Sequence, residues 1–309
     1  MEELRADNSN EYHTPVLLNE SIEALSIRPG GTYVDCTFGG GGHSSAILSK
    51  LDETGKLFVL DQDEAAKANM PADEKRIVFI PQNFRHLQRF LRLHNVTGVD
   101  GILADLGVSS HQFDEASRGF STRFDAPLDM RMDTRQAITA AKILKEFSEI
   151  RLHKMFEQYG EVTNSKTLAK AIVEKRMQVP LNTINQLKQA LQAIVKGNPN
   201  KYFAQVFQAL RIEVNDEMGA LKEMLKQSVQ ILNPGGRLAI ISFHSLEDRL
   251  VKNFFRYADF SEPEADEVYG TRKEAELKII SKKPITASSN EIKRNNRSRS
   301  AKLRVAEKK

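Results

Sequence analysis

Four consecutive glycines constrain what this chain can fold into more than any other feature. Residues 39–42 follow a short apolar segment that ends at Cys36, and the pair His43-Ser44 then opens an apolar pattern typical of a helix. Glycine adopts positive φ without steric cost and lets the backbone approach a ligand closely. We therefore expect a buried strand, a tight turn and a helix whose N-terminal N–H groups face the crevice of an open α/β sheet.

The spacing within this turn argues against two phosphate-binding motifs. The dinucleotide fingerprint G-x-G-x-x-G would need a third glycine where Ser44 stands, and the Gly-Lys-Ser/Thr end of a P-loop is absent. A glycine turn without these additions suits a nucleoside ligand that lacks phosphates, such as S-adenosylmethionine. The alternative is a turn with no ligand, although four successive glycines are costly to order.

Apolar periodicity predicts the sheet and an interruption within it. Four short strands at 32–36, 57–60, 77–80 and 99–104 alternate with helical patterns, which is typical of a parallel doubly wound sheet. A polar stretch from 107 to 135 follows, and helical spacing then continues from about 137 to 232. Further strands are predicted at 237–243, 277–280 and 301–305. An N-terminal helix from about His13 to Ile27 and a mobile loop at 258–275 complete the prediction.

These patterns predict an α/β fold in which a Rossmann-like, seven-stranded sheet carries an inserted all-helical domain. The predicted units are a disordered N-terminus at 1–11, a discontinuous sheet domain at 12–110 and 215–309, and an inserted loop and helical domain at 111–214.

Polar residues at strand ends are the candidate binding groups. Asp61 lies about twenty residues beyond the glycine turn, where nucleotide-binding sheets place a carboxylate for ribose hydroxyls; a helix cap is the alternative. Phe84 follows the third strand and could pack on an adenine ring or in the core. Asp105 ends the fourth strand, at the edge where ligands of such sheets bind.

Charge and composition indicate the setting and a partner. Residues 281–309 hold ten Lys/Arg and two acids, which suggests contact with a phosphate backbone, with a solvated tail as the alternative. One cysteine excludes an intrachain disulfide and a cysteine-based zinc site, and we expect no metal. The polar N-terminus and the lack of a long apolar run predict a cytoplasmic protein that does not enter a membrane.

Several longer motifs resemble one family, the bacterial 16S rRNA cytosine-N4 methyltransferases (MraW family). They include DLGVSS at 105–110, RGFS at 118–121 and PLDMRMD at 127–133. Further matching blocks are HTPVLL at 13–18, TFGGGGHS at 37–44, YGE at 159–161, FQALRIEVN at 207–215, NPGGRL at 233–238, SFHSLEDR at 242–249 and SAKLR at 300–304. The resemblance extends from about residue 12 to residue 307.

This resemblance implies an S-adenosylmethionine-dependent enzyme that methylates N4 of a single cytidine in the decoding centre of 16S rRNA within the small ribosomal subunit. It also implies a class I methyltransferase domain interrupted by a helical domain. A homodimer is left open. The cofactor-binding residues implied by the matching motifs are Gly41, Gly42, His43, Asp61, Phe84, Asp105 and Gln112.

Cytosine N4 is a poor nucleophile because its lone pair conjugates with the ring, so an acceptor for the amino protons would assist transfer. Asp105 is the tentative catalytic candidate, although a binding role is favoured over direct proton acceptance. The Pro-Pro-aromatic motif of many amino-group methyltransferases is absent after Asp105, so base stacking must come from elsewhere. The candidates are Phe38, Phe120 and Phe243, each with a core position as the alternative.

Other polar residues are candidates for contact with the RNA, because a cytidine in folded rRNA must be splayed out of its stack. His244 could hydrogen-bond the base or cap a helix. The remaining candidates are Ser109, Ser110, Arg118, Arg123, Arg131 and Arg135 after the fourth strand and Lys293, Arg294, Arg297, Arg299, Lys302 and Arg304 in the tail.

Two rival functions share parts of this pattern. A nicotinamide-linked dehydrogenase would share the sheet and Asp61, but the absent third glycine and the long insertion disfavour it. A non-catalytic rRNA-binding assembly factor on a methyltransferase scaffold is the second rival; the glycine turn, Asp61 and Asp105 argue against it.

Overall fold

The computed structural model describes residues 15–261 and 276–309. The predictions of a disordered N-terminus at 1–11 and of a mobile loop at 258–275 therefore concern segments that lie wholly or mostly outside the described residues. Within the described residues, no helix is both long and apolar enough to cross a membrane.

One mixed sheet forms the centre of the fold. Its strands are Thr32–Asp35 (β1), Lys56–Leu60 (β2), Ile77–Ile80 (β3), Val99–Asp105 (β4), Leu232–Ser242 (β5), Leu277–Ile279 (β6), Ile285–Thr286 (β7) and Lys302–Lys308 (β8). Their order in the sheet is β3-β2-β1-β4-β5-β8-β6, with β7 paired to β8; β1 to β5 are parallel, and β8 runs antiparallel to β5. The parallel part places the carboxyl ends of β1, β2 and β4 side by side.

The α/β prediction is confirmed, with two corrections in the sheet. Sequence patterning missed β7, because two residues are too short to show an alternation. The strand predicted from residue 237 begins at Leu232, so the NPGG segment at 233–236 lies inside it. Val99 pairs with Leu232, but Gly101 pairs with Arg237, so these residues form a bulge in β5.

The helices flank the sheet or form the insertion between β4 and β5. Those beside the sheet are Leu18–Leu25 (α1), Gly42–Leu48 (α2), Leu87–Leu93 (α3), Glu217–Ile231 (α10), Ser245–Tyr257 (α11) and Ser289–Arg294 (α12). Those of the insertion are Ser110–Asp114 (α4), Ala140–Glu146 (α5), Glu149–Gln158 (α6), Ser165–Lys175 (α7), Ile184–Leu191 (α8) and Pro199–Asn215 (α9).

The first helix begins later than predicted. Pro15 precedes α1, and Leu17 adopts a left-handed conformation with φ 52° immediately before the helix. The Leu17 N–H donates to Oε1 of Glu291 at 2.8 Å instead of taking part in a helical turn. A contact with the C-terminal tail, which no local pattern could reveal, therefore fixes the start of α1.

Each face of the sheet has its own core because successive strand residues point to opposite faces. Val34 packs with α3, α10 and α11 on one face, whereas its neighbour Tyr33 packs with α1 and α2 on the other. The insertion buries a third core, which includes Leu152, Phe156 and Leu210. Long helices in the insertion are thus stabilised by their own apolar contacts.

The polar stretch that follows β4 is ordered, and Asn215 anchors it. The buried Asn215 amide donates to the carbonyl of Met130 at 2.8 Å, and its Oδ1 accepts the N–H of Met132, also at 2.8 Å. The end of α9 therefore holds the stretch against the sheet domain, although the partners are 85 residues apart.

We expect Asn215→Ala to lower the free energy of unfolding by about 2–3 kcal/mol, because two buried backbone groups lose their partner. Urea denaturation would measure the change. Exposed Asn185→Ala is the control and should change stability by less than about 0.5 kcal/mol. Equal effects of the two substitutions would contradict this role of Asn215.

Candidate functional site

A buried carboxylate organises the glycine turn. Asp35, 1% exposed at the end of β1, accepts the Thr37 N–H at 3.0 Å and the Ser44 hydroxyl at 2.7 Å. The Thr37 hydroxyl accepts the N–H of Asp105 at 2.7 Å. These contacts join the ends of β1 and β4 to the first turn of α2, so the turn is held from three sides.

The glycines adopt the conformations that the sequence predicts. Gly39 and Gly41 have φ of 49° and 76°. A Cβ on Gly41 would lie 3.2 Å from the Phe38 ring, and one on Gly42 would lie 2.2 Å from Pro15. A Cβ on Gly40 would meet nothing within 4 Å, so the backbone at Gly40 borders open space.

Asp61 lies beside this turn at the end of β2. One carboxylate oxygen accepts the Gly39 N–H at 2.8 Å, and the other accepts the Asp63 N–H at 2.9 Å. Burial raises the pKa of Asp61 to about 6. The structure assigns the cap of the following 3-10 turn, Glu64–Asn69, to Asp63 and not to Asp61. Asp61 therefore does not cap that helix, and its carboxylate lies beside the glycine turn as a hydrogen-bond acceptor.

Asp105 ends β4, on the other side of β1 from Asp61. Its side chain is 24% exposed, yet Oδ1 is buried without a hydrogen-bond partner. Burial, and then the charges of Asp35 and Glu247, raise the pKa of Asp105 well above its usual value. Oδ2 lies 3.8 Å from Nδ1 of His43. An acceptor without a partner in a buried carboxylate is expensive and points to a missing donor or cation.

His43 belongs to the same group but is anchored elsewhere. Its Nε2 lies 3.0 Å from the carbonyl oxygen of Val16 and donates to it, which leaves Nδ1 facing Asp105. Burial lowers the pKa of His43. The ring is therefore neutral and holds the segment before α1 against the glycine turn.

Gln112 is oriented by the start of α4. Ser109 caps this helix by accepting the Gln112 N–H at 3.1 Å, and Gln112 Oε1 accepts the Ser109 N–H at 3.2 Å. Gln112 Nε2 donates to Oδ2 of Asp63 at 3.0 Å. Ser110 is the first residue of α4. The predicted cofactor residue Gln112 is thus tied to the segment that follows Asp61.

Arg118 and Arg131 of the polar stretch are engaged inside the protein. Arg118 Nη1 donates to Asp63 Oδ2 at 2.8 Å, and its Nη2 donates to the carbonyl of Arg131 at 2.9 Å. Arg131 forms a two-point ion pair with Asp129. Their predicted contact with RNA is therefore disfavoured, because both guanidiniums already hold this stretch in place.

The aromatic candidates differ in burial. Phe38 and Phe120 are 3% and 8% exposed and belong to core clusters, so their core alternative is the one the structure supports. Phe243 is half-buried and lies against Gly107, whose Cβ would be 3.6 Å from its ring. Phe84 is half-buried at the start of the 3-10 turn Phe84–His86 and packs on the sheet core.

His244 caps a helix, which is one of its two predicted roles. Its Nδ1 accepts the N–H of Glu247 at 3.4 Å, and Glu247 Oε2 accepts the Phe243 N–H at 2.8 Å. Among the described residues, Glu217, His244 and Glu247 bring metal-binding atom types within 4.8 Å of one another. Arg211 already binds both oxygens of Glu217, at 2.8 and 3.0 Å. The protein itself therefore supplies a cation to this cluster.

The basic tail docks beside α4. Arg297 Nη2 lies 3.0 Å from Oδ1 of Asp114, whereas Arg299 is exposed. Lys302 and Arg304 pair with Asp248 at 3.2 and 2.6 Å. The tail thus divides into residues that secure β8 and residues that face solvent.

Sequence reasoning missed the two carboxylates that hold the site together, Asp35 and Asp63. Asp35 lies four residues before the first glycine, at the end of the predicted strand, and that position was a usable signal. The role of Asp63 depends on Arg118, 55 residues away, and has no local signal.

We expect the Asp63–Arg118 pair to couple strongly, because its side chains are only 11% and 15% exposed. A double-mutant cycle with Asp63→Asn and Arg118→Met should give a coupling free energy of about 1–3 kcal/mol in urea denaturation. The exposed pair Glu64–Arg135 is the matched control and should give less than about 1 kcal/mol. Additive effects at the buried pair would contradict the assignment.

Comparisons with known proteins point to one family. The model of the MraW methylase family matches residues 10–309. Ribosomal RNA small subunit methyltransferase H of Flavobacterium johnsoniae is 53% identical over 300 residues, covering 96% of this chain and 98% of its own. The protein of the same name from Azobacteroides pseudotrichonymphae is 53% identical over 298 residues, covering 96% and 97%.

Solved structures show a weaker likeness. An rRNA methylase from Streptococcus thermophilus is 12% identical to this chain with a TM-score of 0.38, and the match covers 94% of this chain and 93% of that one. This similarity is too low to indicate a function. The family match extends over nearly the whole chain and includes the glycine turn, Asp61 and Asp105. The chain therefore belongs to the MraW methylase family.

Proposed function

We propose that this protein transfers a methyl group from S-adenosylmethionine to N4 of a single cytidine in the decoding centre of 16S rRNA in the small ribosomal subunit. The observation that carries the proposal is the arrangement of residues at the ends of β1, β2 and β4. There the glycine turn lies between two carboxylates, Asp61 and Asp105, whose pKa values are raised. The names of the curated relatives, which specify small-subunit rRNA, support the substrate class.

The chemistry of these residues fits a cationic nucleoside. Oδ1 of Asp105 lacks a partner, and burial, together with the negative charge of Asp35, raises the pKa of both Asp61 and Asp105. A ligand with a positive charge and hydroxyl donors would stabilise the ionised carboxylates. A dinucleotide would instead add negative phosphate charge to a site that is already acidic. The fit therefore favours S-adenosylmethionine over a nicotinamide cofactor.

Each predicted cofactor residue then has a role. Asp61 would accept the ribose hydroxyls, Phe84 would pack on the adenine, and Asp105 would hold a cationic or amino group. Gly41, Gly42 and His43 would shape the turn, and Gln112 would close the crevice from α4. When bound, S-adenosylmethionine supplies an electrophilic methyl group on a sulfonium.

The protein must place the acceptor nitrogen roughly 3–3.5 Å from the reacting carbon and keep water out. The Asp105 side chain is partly exposed, so its carboxylate could also accept a hydrogen bond from the cytosine amino group. Its raised pKa suits it to take up a proton. Asp105→Asn distinguishes the two roles. If Asp105 binds the cofactor, the substitution would weaken S-adenosylhomocysteine binding; if Asp105 only accepts a proton, it would lower kcat and leave that binding unchanged.

The test is methyl transfer from labelled S-adenosylmethionine to small ribosomal subunits from a strain that lacks this gene. We expect one N4-methylated cytidine in the decoding centre, mapped by mass spectrometry, and loss of at least about 99% of activity in Asp105→Asn. Label on another atom or another RNA would contradict the substrate. No label, with S-adenosylhomocysteine still bound, would favour the non-catalytic assembly factor.

Cofactor affinity should depend on pH through Asp61. Its pKa is about 6 in the free protein, and ribose hydroxyls donate to the ionised carboxylate. Protonation below pH 6 therefore opposes binding, and the raised pKa of Asp105 acts in the same direction. We expect the Kd of S-adenosylhomocysteine, measured by calorimetry, to rise about tenfold between pH 7 and pH 5. Constant affinity in folded protein over this range would contradict the assignment.

A further inference from the structure

One aromatic ring near the crevice lies between two arginines from distant parts of the chain. The ring is Phe113 of α4; the Arg123 guanidinium lies 5.8 Å from its centroid, and the Arg297 guanidinium lies 5.1 Å from it. Phe113 is half-buried and packs on the core of the insertion. Part of the ring thus packs on the core, while part is exposed beside the two guanidiniums.

The position of α4 links this ring to the proposed active site. The helix begins just after β4, and a Cβ on Gly39 would lie 3.8 Å from Cβ of its cap, Ser109. Gln112, the neighbour of Phe113, contacts Asp63. Four residues of helix rise about 6 Å, so Phe113 lies about one helical turn from the glycine turn.

The surroundings of the ring are basic. Arg297 is held by Asp114, which fixes its guanidinium on the α4 side of the tail. Lys293, Arg294 and Arg299 are exposed on the same short tail segment. Cations of this kind attract a phosphate backbone, and the attraction weakens as salt concentration rises.

From this arrangement we infer that Phe113, Arg123 and Arg297, here called the α4 platform, stack an unpaired nucleotide of the rRNA that lies beside the methylated cytidine. Bases extruded from folded RNA stack on aromatic rings and on guanidinium planes. Phe38 and Phe120 are buried and cannot offer such a face. The inference rests on the proposed function and adds to it a surface that holds RNA outside the cofactor crevice.

The rival explanation is a structural clamp that only fastens the tail to α4. Phe113→Leu separates the two, because leucine keeps the apolar packing but removes the stacking face. We expect the KM for small subunits to rise about tenfold, with the Kd of S-adenosylhomocysteine and the melting temperature nearly unchanged. Phe113→Trp should restore the KM, because a larger ring stacks at least as well.

The chain offers a matched control in Phe147. This ring is also half-buried, packs on the same core and lies under a guanidinium, that of Arg151 at 3.5 Å. It lies in the helical insertion between α5 and α6, away from the strand ends. Phe147→Leu should leave the KM for small subunits unchanged.

Each possible outcome either supports the α4 platform or overturns it. An increased KM in Phe113→Leu alone, rescued by tryptophan, supports the platform. An unchanged KM, an equal increase in Phe147→Leu, or a parallel loss of stability and S-adenosylhomocysteine binding overturns it. If wild-type protein methylates small subunits and Phe113→Leu does so equally well, the platform fails and the proposed function stands. If wild-type protein neither methylates nor binds rRNA, both fail.

Discussion

Burial of the Asp35 carboxylate at the end of β1 is the constraint on which the site depends. An ion in that position is tolerated only if donors surround it, and the donors come from Thr37 and Ser44, on either side of the glycines. The turn must therefore close around Asp35, and the Thr37 hydroxyl then fixes Asp105. The buried Asp35 carboxylate thus sets the conformation of the glycine turn and the position of Asp105.

Asp63 is the carboxylate that holds the start of the insertion in place. Its Oδ2 accepts from both Gln112 and Arg118, so the segment after β2, the start of α4 and the polar stretch meet at one atom. Asn215 holds the far end of the same stretch. A segment that would otherwise be a long, costly loop is thus held by these polar contacts and by its own apolar side chains, such as Leu128 and Met130, which are buried in the core of the insertion.

The sequence predicted features that depend on near neighbours. The first four strands differ from their predicted bounds by at most a residue at either end, because buried apolar runs and turn residues are local signals. The start of α1 and the roles of Arg118 and Asn215 could not be predicted, since each depends on a partner far along the chain. His244 caps α11, which is one of its two predicted roles, because Glu247 three residues later completes a capping box with it. Phe113 was missed because nothing in its immediate sequence reveals the arginines beside it.

The central claim is that the space between Asp61 and Asp105 binds the nucleoside cofactor, and a crystal structure with S-adenosylhomocysteine tests it most directly. We expect ribose hydroxyls within hydrogen-bonding distance of Asp61, adenine against Phe84, and a ligand donor on the carboxylate of Asp105, whose side chain is partly exposed. The segment held by Asp63 and Asn215 should keep its conformation. A ligand bound elsewhere, or one bound in this crevice without contact to Asp61 and Asp105, would contradict the account.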